Sequence, residues 1–512
     1  MSMENELPGG WIETTLENFV EICDDLRLPV NADERAGRIG PYPYYGATGQ
    51  VGWIDNYLMD GEYVLVGEDG APFLDPFKSK AYMVSGKCWV NNHAHVLKCF
   101  EELGNNKYLM YFLNAFDYRE VVNGTTRLKL TQGAMRQISI LLPPLPEQRR
   151  IVAAIEQQFS RLDAAVTSLQ HARAKLKRQR AAILKAAVEG TLTAEWRAQH
   201  PASETAEQLL QRILHERRAK WEGEQLGKKK AYKEPELLDM ENLPELPDGW
   251  CWASVEQVGK VQLGRQRAPQ YHTGPHMRPY LRVANVFEDR IDTSDILTMN
   301  FTPEEYETYR LKYGDILLNE GQSLELIGRP AMYRDELPGA CFQNTLVRFK
   351  ASSNLLPQYA LALFRVYLHT KRFQRIGKHT TNIAHLGAGR FAALEFPLPP
   401  LAEQQQIVSE VEASLSIIAQ TELEVEANLK RAERLRQTIL AEAFAGRLVP
   451  QRPGDEPASV LLERIRQGRK ERDGMQKKVK AGNGRGIRLP DEPVKIDAEG
   501  MEQVALWEGV GE

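Results

Sequence analysis

Cysteine is scarce and scattered in this 512-residue chain. Cys23, Cys88, Cys99, Cys251 and Cys341 form no CxxC pair and no cluster at metal-ligand spacing, which fits a reduced compartment and argues against a thiolate metal site. Charge of one sign is missing too. With 65 Lys and Arg against 69 Asp and Glu, the net charge of −4 advertises no nucleic-acid binder, so any basic footprint must be local. No run of about 18 apolar residues occurs, so no membrane span is expected. The opening MSMENELPGG lacks the apolar segment of a secretory leader.

Catalytic signatures are also absent. There is no GxxxxGK[ST] phosphate loop, no GxSxG, no HExxH, and no NPPY or DPPY tetrapeptide of the kind an amino-methyltransferase needs. His93 and His95 share one strand face without a third ligand, so no metal site is expected. Glu68-Asp69 is either an acidic pair or a turn after a strand; the turn is the expected reading. PDEPVK at Pro490–Lys495 sits in a polar tail and is not read as a nuclease motif. A long chain without a catalytic kit reads as a recognition module.

What is present is a repeat. LPPLPEQRRIVAAIEQQF from Leu142 returns without a gap as LPPLAEQQQIVSEVEASL from Leu398, an offset of 256. Ile183, Leu184, Ala187, Gly190 and Leu192 return as Ile439, Leu440, Ala443, Gly446 and Leu448 at the same offset. LPGGW at Leu7–Trp11 returns as LPDGW at Leu246–Trp250, and AEQLLQRI at Ala206–Ile213 as ASVLLERI at Ala458–Ile465. Such a duplication predicts internal pseudo-two-fold symmetry.

Each PPLxEQ block opens a helix. Pro143 and Pro144 suit a helix entrance, and Gly190 supplies its stop. From Val152 the apolar positions step 3, 4, 3, 4 through Ile155, Phe159, Leu162, Val166 and Leu169 to Leu176, Ile183 and Ala187, a heptad seam. The second copy runs Val408, Val411, Leu415, Ile418, Val425, Leu429, Ile439 and Ala443 to Gly446. A helix of about 44 residues is roughly 65 Å long, and two of them pack most simply on each other. Arg173, Arg180, Glu422 and Arg436 interrupt the seam. They either fix its register or mark where the helices part.

Between the repeats lie two mixed α/β regions that share little identity. The first carries β-rich YPYYGATGQVGWI, EYVLVGEDG and CWVNNHAHVLKCF. The second carries PYLRVANV, GDILLNEG and FQNTLVRFK with a helical LPQYALALFRVYLHTKRF. The expected boundaries are a globular domain over 1–141, a helix over 142–190, a short helix and charged linker over 191–245, a second domain over 246–397, a second long helix over 398–446, and a short helix with a polar tail over 447–512. The segment 222–236 and the chain after about 470 read as flexible.

LPxGW starts, PPLxEQxxIV helix starts, and long helices closing on ILxxAxxGxL resemble the specificity subunits of type I restriction-modification systems, as does GTLTAEWRAQHP at Gly190–Pro201. The resemblance covers nearly the whole chain. It implies an α+β fold in which two target recognition domains are separated by two long helices packed as an antiparallel coiled coil. It implies that each domain reads one half of a bipartite, asymmetric site in double-stranded DNA, with the helices as spacer. The implied partners are two modification (methyltransferase) subunits, which methylate adenine, and restriction (motor/nuclease) subunits. S-adenosylmethionine, ATP and Mg would then belong to those partners, this chain would bind no cofactor and carry no active site, and it would act in the prokaryotic cytoplasm on DNA. The alternative from a different class is a protein-interaction scaffold built on a coiled coil.

Base readout needs donors and acceptors on exposed loops. Candidates in the first domain are Tyr44, Thr48 and Gln50, then Asn91 and His93, then Thr125, Thr126, Arg127 and Lys129. In the second they are Arg265, Gln266 and Arg267, then Asn319, Gln322 and Ser323, then Lys378, His379, Thr380, Thr381 and Asn382. Thr125 aligns with Thr381 at the 256 offset, so both halves place a Thr-containing polar loop ahead of PPL, and that pair ranks first. The basic run Arg173, Lys175, Lys177, Arg178 and Arg180 reads as a solvated helix face, or as one that meets phosphates or a partner.

Overall fold

The computed structural model describes residues 7–100, 103–224, 231–235, 237–238, 240–241, 243–379 and 383–482, with residue 379 and residues 472–482 described by backbone alone. The chain forms two compact units, Met1–Ala164 with Arg431–Glu512, and Ala165–Lys430. Each unit therefore holds one globular domain, the start of one long helix and the end of the other.

The first unit is built on an antiparallel sheet in the order Val20–Ile22, Ala94–Cys99, Tyr63–Gly67, Ala81–Val84. Tyr63–Gly67 is buried along its whole length, which is why EYVLVG is a continuous apolar run rather than an alternating one. Helix Asn106–Ala115 buries Tyr108, Leu109, Phe112 and Leu113 on one face, and Asn105 caps its start by accepting from Tyr108 N at 3.1 Å. A smaller sheet sets Tyr42–Gly46 parallel to Lys87–Val90.

The second unit repeats this plan. Its main sheet runs Gly259–Leu263, Leu346–Ala351, Ile316–Asn319, Pro330–Met332, with helix Pro357–His369 in the place of Asn106–Ala115. Its smaller sheet sets Met277–Leu281 parallel to Cys341–Phe342. The two globular regions, unlike in sequence, thus share one sheet order.

The repeated motifs are the joints of this plan. Glu403 is buried and accepts from Thr193 Oγ1 at 2.7 Å, Arg197 Nε at 3.0 Å and Trp250 Nε1 at 2.9 Å. It thereby ties the start of the second long helix to the end of the first and to the LPDGW entrance. Glu147, its counterpart in the first unit, accepts from Gln451 Nε2 at 3.2 Å. Gln148 and Gln404 each return a hydrogen bond of 3.0 Å, to Pro143 O and Pro399 O. Tyr108 Oη donates to Leu141 O and Tyr359 Oη to Pro397 O, both at 2.7 Å. Gly190 and Gly446 stop the helices at φ 70°, where a side chain would run into Pro247 and Pro8 of the two LPxGW segments.

The long helices are Leu145–Val188 and Leu401–Phe444, each of 44 residues. In the second unit Arg173 pairs with Glu426 at 3.0 Å and Arg180 with Glu422 at 2.7 Å, so residue numbers rise on one helix as they fall on the other. The segments run antiparallel, over buried Val411, Ile418 and Val425. In the first unit Arg436 pairs with Asp163. The polar seam residues are therefore cross-seam ion pairs. Partly exposed as they are, each is worth about 0–1 kcal/mol, so they set register more than stability.

Two segments are more ordered than the sequence implies. Helix Ala206–Glu224 enters the expected linker, and Trp221 packs on Tyr232 with ring centroids 5.3 Å apart. Helix Ala458–Gly482 extends past the point where the tail reads as flexible, while Pro490–Lys495 lies outside the described residues.

Candidate nucleic-acid interface

In the first domain the polar loops converge at one end of the main sheet. The strand Tyr63–Gly67 runs into Glu68-Asp69, and Gly70 turns the chain at φ 71°. Asp69 Oδ1 then meets His93 Nδ1 at 2.7 Å and Arg127 Nη2 at 2.9 Å. Glu68 meets Arg27 at 2.6 Å and Lys129 at 3.1 Å. Burial works against the Glu68 charge, but hydrogen bonds from Arg27 and Lys129 outweigh it and hold the carboxyl below its ordinary range. Beneath lies buried His95, with Nδ1 at 2.7 Å from Asp24 Oδ2 and Nε2 at 2.9 Å from Leu130 O. Desolvation raises the Asp24 carboxyl, and the contacts with His95, Val96 N and Gln132 more than reverse it. This network fixes the hairpin Val122–Asn123/Lys129–Leu130, whose turn exposes Thr125, Thr126 and Arg127.

Glu68-Asp69 is thus both a turn and the acidic hub of the loop cluster. The sequence offers both readings and favours the turn. The signal in the sequence is the pair of adjacent carboxylates themselves, set in a domain whose other candidate loops carry His93, Arg127 and Lys129.

The second domain has the same hub in weaker form. Leu386 N donates to Glu320 O as Leu130 N does to Glu68 O. His385 lies 3.9 Å from Glu320 where Lys129 lies beside Glu68. Burial dominates here and raises the Glu320 carboxyl, against the Gly387 N–H and His385. Gln322 pairs with Ala384, and Lys378 with His385, in one small sheet that joins two of the expected loops.

Thr48, Gln50, Thr125, Thr126, Arg127, Lys129, Gln266, Arg267, Ser323 and Lys378 are exposed, and His93 and Gln322 are half-buried. Four expected contacts are corrected. Tyr44 is a core residue, 1% exposed, whose hydroxyl accepts from Val30 N at 3.0 Å and donates to Val30 O at 3.2 Å. Asn91 is buried, with Oδ1 accepting from His93 N at 2.8 Å to shape the turn. Arg265 is buried, paired with Glu305 at 2.8 Å and lying over the Tyr271 ring at 3.7 Å. Asn319 is 0% exposed, and its Oδ1 and Nδ2 have no partner among the described residues. His379 is placed by backbone only, pairing with Ala384, and Thr380, Thr381 and Asn382 lie outside the described residues.

Among the described residues no helix is long and apolar enough to cross a membrane. The family model described as the type I restriction modification DNA specificity domain matches residues 8–176 and again 247–430. The chain is 24% identical over 479 residues to the EcoDI specificity subunit of Escherichia coli, covering 90% of this chain and 96% of that one. It is 34% identical over 155 residues to a putative type I restriction enzyme specificity subunit of Haemophilus influenzae, a match spanning 30% of this chain and 39% of that protein. A solved chain from work on complex assembly and conformational transition of the type I R-M system superposes with a TM-score of 0.60 at 16% identity, over 86% of this chain and 99% of that one. The doubled domain match, repeated fold and polar loop clusters together place this chain in the type I restriction-modification DNA specificity family.

Proposed function

We propose that this chain is the sequence-specific DNA-binding subunit of a type I restriction-modification complex, each domain reading one half of a bipartite, asymmetric duplex site. The observation that carries this reading is the duplicated sheet end, where Glu68 and Glu320 each anchor a polar hairpin lying just ahead of PPL. The antiparallel helices act as the spacer. Two modification subunits and, where present, restriction subunits assemble on the chain; they take S-adenosylmethionine, ATP and Mg, and this chain contributes recognition without catalysis, in the prokaryotic cytoplasm. Arg127 and Lys129 are held by carboxylates, so phosphate contact exchanges one anionic partner for another. Each such phosphate contact still releases counterions condensed on the duplex, so affinity should fall with salt.

The test is competition binding by the chain assembled with its modification subunits, using duplexes that carry the selected site or a scrambled one. A preference of roughly a thousandfold or more is expected. Equal binding to both duplexes would leave the scaffold reading in possession, and methyl transfer by the purified chain alone would overturn the non-catalytic assignment.

A further inference from the structure

One short segment occupies the same slot in both domains and was expected in only one. In the first domain, strand Lys87–Val90 leads through Asn91-Asn92-His93 into the main-sheet strand Ala94–Cys99. In the second, strand Cys341–Phe342 leads through Gln343-Asn344-Thr345 into Leu346–Ala351. The two segments are 252 residues apart, the same offset as Ala206 and Ala458. Their backbone anchors coincide. Asn91 N donates to Tyr45 O at 3.1 Å and Gln343 N to Leu281 O at 3.0 Å. His93 O and Thr345 O accept from Glu68 N and Glu320 N, each at 2.8 Å. Both tripeptides are therefore bolted to the acidic hub of their own domain.

Three of the four outer side chains are used internally, and Gln343 is held through its backbone. Asn91 shapes the turn and His93 binds Asp69, while Thr345 Oγ1 accepts from Val283 N at 3.3 Å. The middle residue is an asparagine in both. Asn92 is exposed and Asn344 half-buried, and neither side chain makes a hydrogen bond within the described residues. Backbone conformation does not account for the choice, because neither residue adopts the positive φ for which asparagine is often selected. The Asn344 N–H is already satisfied by Arg265 O at 3.0 Å. Each amide is thus held on a rigid base with donor and acceptor free: Asn344 is tied through its N–H to Arg265, next in the chain to exposed Gln266 and Arg267, and Asn92 precedes His93, which shares Asp69 with exposed Arg127. A planar amide with both groups free matches the N6 and N7 edge of adenine.

We propose that Asn92 and Asn344 are equivalent specificity-determining residues, each reading an adenine in the half-site of its own domain. This rests on the DNA-reading function proposed above. The experiment uses the full chain assembled with its modification subunits, selecting from a randomised duplex library. Asn92→Ala should make one A·T position of one half-site degenerate and cost roughly ten- to a hundredfold in preference there. Asn344→Ala should do the same in the other half-site alone. Wild-type thermal midpoints for both variants establish that folding is intact, and Asn344→Asp, which keeps the shape but loses the donors, should match Asn344→Ala. If the wild-type complex selects a bipartite motif and both variants select it unchanged, the assignment of these residues is overturned. If the wild-type complex selects no motif, the DNA-reading function itself fails.

Discussion

Replacing Glu403 by alanine is the sharpest test of how the repeat is held together. Its carboxylate is buried and accepts from Thr193 Oγ1, Trp250 Nε1 and Arg197. Thr193 is 1% and Trp250 7% exposed, so neither donor finds water when the acceptor is removed. Each orphaned donor costs about 1–3 kcal/mol. Arg197 is less affected, because its guanidinium is partly exposed and still reaches Gly190 O. These losses overlap, and the sum falls near the ~3–5 kcal/mol of a broken buried charge pair. The assay is native-state hydrogen exchange on peptides covering 190–205 and 246–260, since a chain of two units need not unfold in one step. Opening there should become cheaper by about 3–5 kcal/mol in Glu403→Ala, while Glu147→Gln shifts the matching peptides of the first unit by less than about 1 kcal/mol. The contrast follows from the acceptor rather than from depth: alanine leaves the donors to Glu403 without one, whereas glutamine keeps an oxygen for Gln451, and burial already raises the Glu147 carboxyl, so losing its charge costs little. A Glu403→Ala protein exchanging within 1 kcal/mol of wild type would refute the joint described here.

Three further outcomes follow from named contacts. Gly190→Ala should destabilise by about 2–4 kcal/mol, combining a left-handed φ of 70° with a Cβ placed 2.6 Å from Pro247 Cγ, and thermal unfolding reads it directly. Asn319→Leu removes two unpartnered amide atoms and should stabilise by about 1–3 kcal/mol without altering the selected site, an altered site showing that the buried side chain does reach DNA. Glu288 is opposed by burial but held by His369 and Arg365 at about 2, below its ordinary 4.5. A lowered carboxylate contributes stability above the ordinary value and loses it as pH falls toward the lowered one, so Glu288→Gln should flatten the acid limb of stability between those two values.

The parts of this fold that were legible in the sequence are those set by local periodicity. A heptad seam, proline at the helix entrance and glycine at the exit are consequences of neighbouring residues, and both long helices appear within a few residues of their expected ends. The joints were visible only as repeated letters. That the Glu of PPLxEQ receives the Trp of LPxGW depends on elements 153 residues apart meeting in space. The shared sheet order of the two domains was hidden because strand pairing leaves no fixed spacing. In the loops the error was one of facing: Arg265 is buried and Gln266 exposed, one residue apart, and composition cannot choose between them. Asn344 is hidden from an alignment on the long helices, because its segment keeps the offset of 252 rather than the 256 of the helices.

The central claim, that the two domains read two halves of one DNA site for partner enzymes, is tested most directly by mapping adenine methylation across the genome of a host with and without this chain. The account predicts a bipartite, asymmetric motif with a fixed gap, methylated only when the chain is present. Identical methylation in both hosts, with the modification subunits expressed, would contradict it.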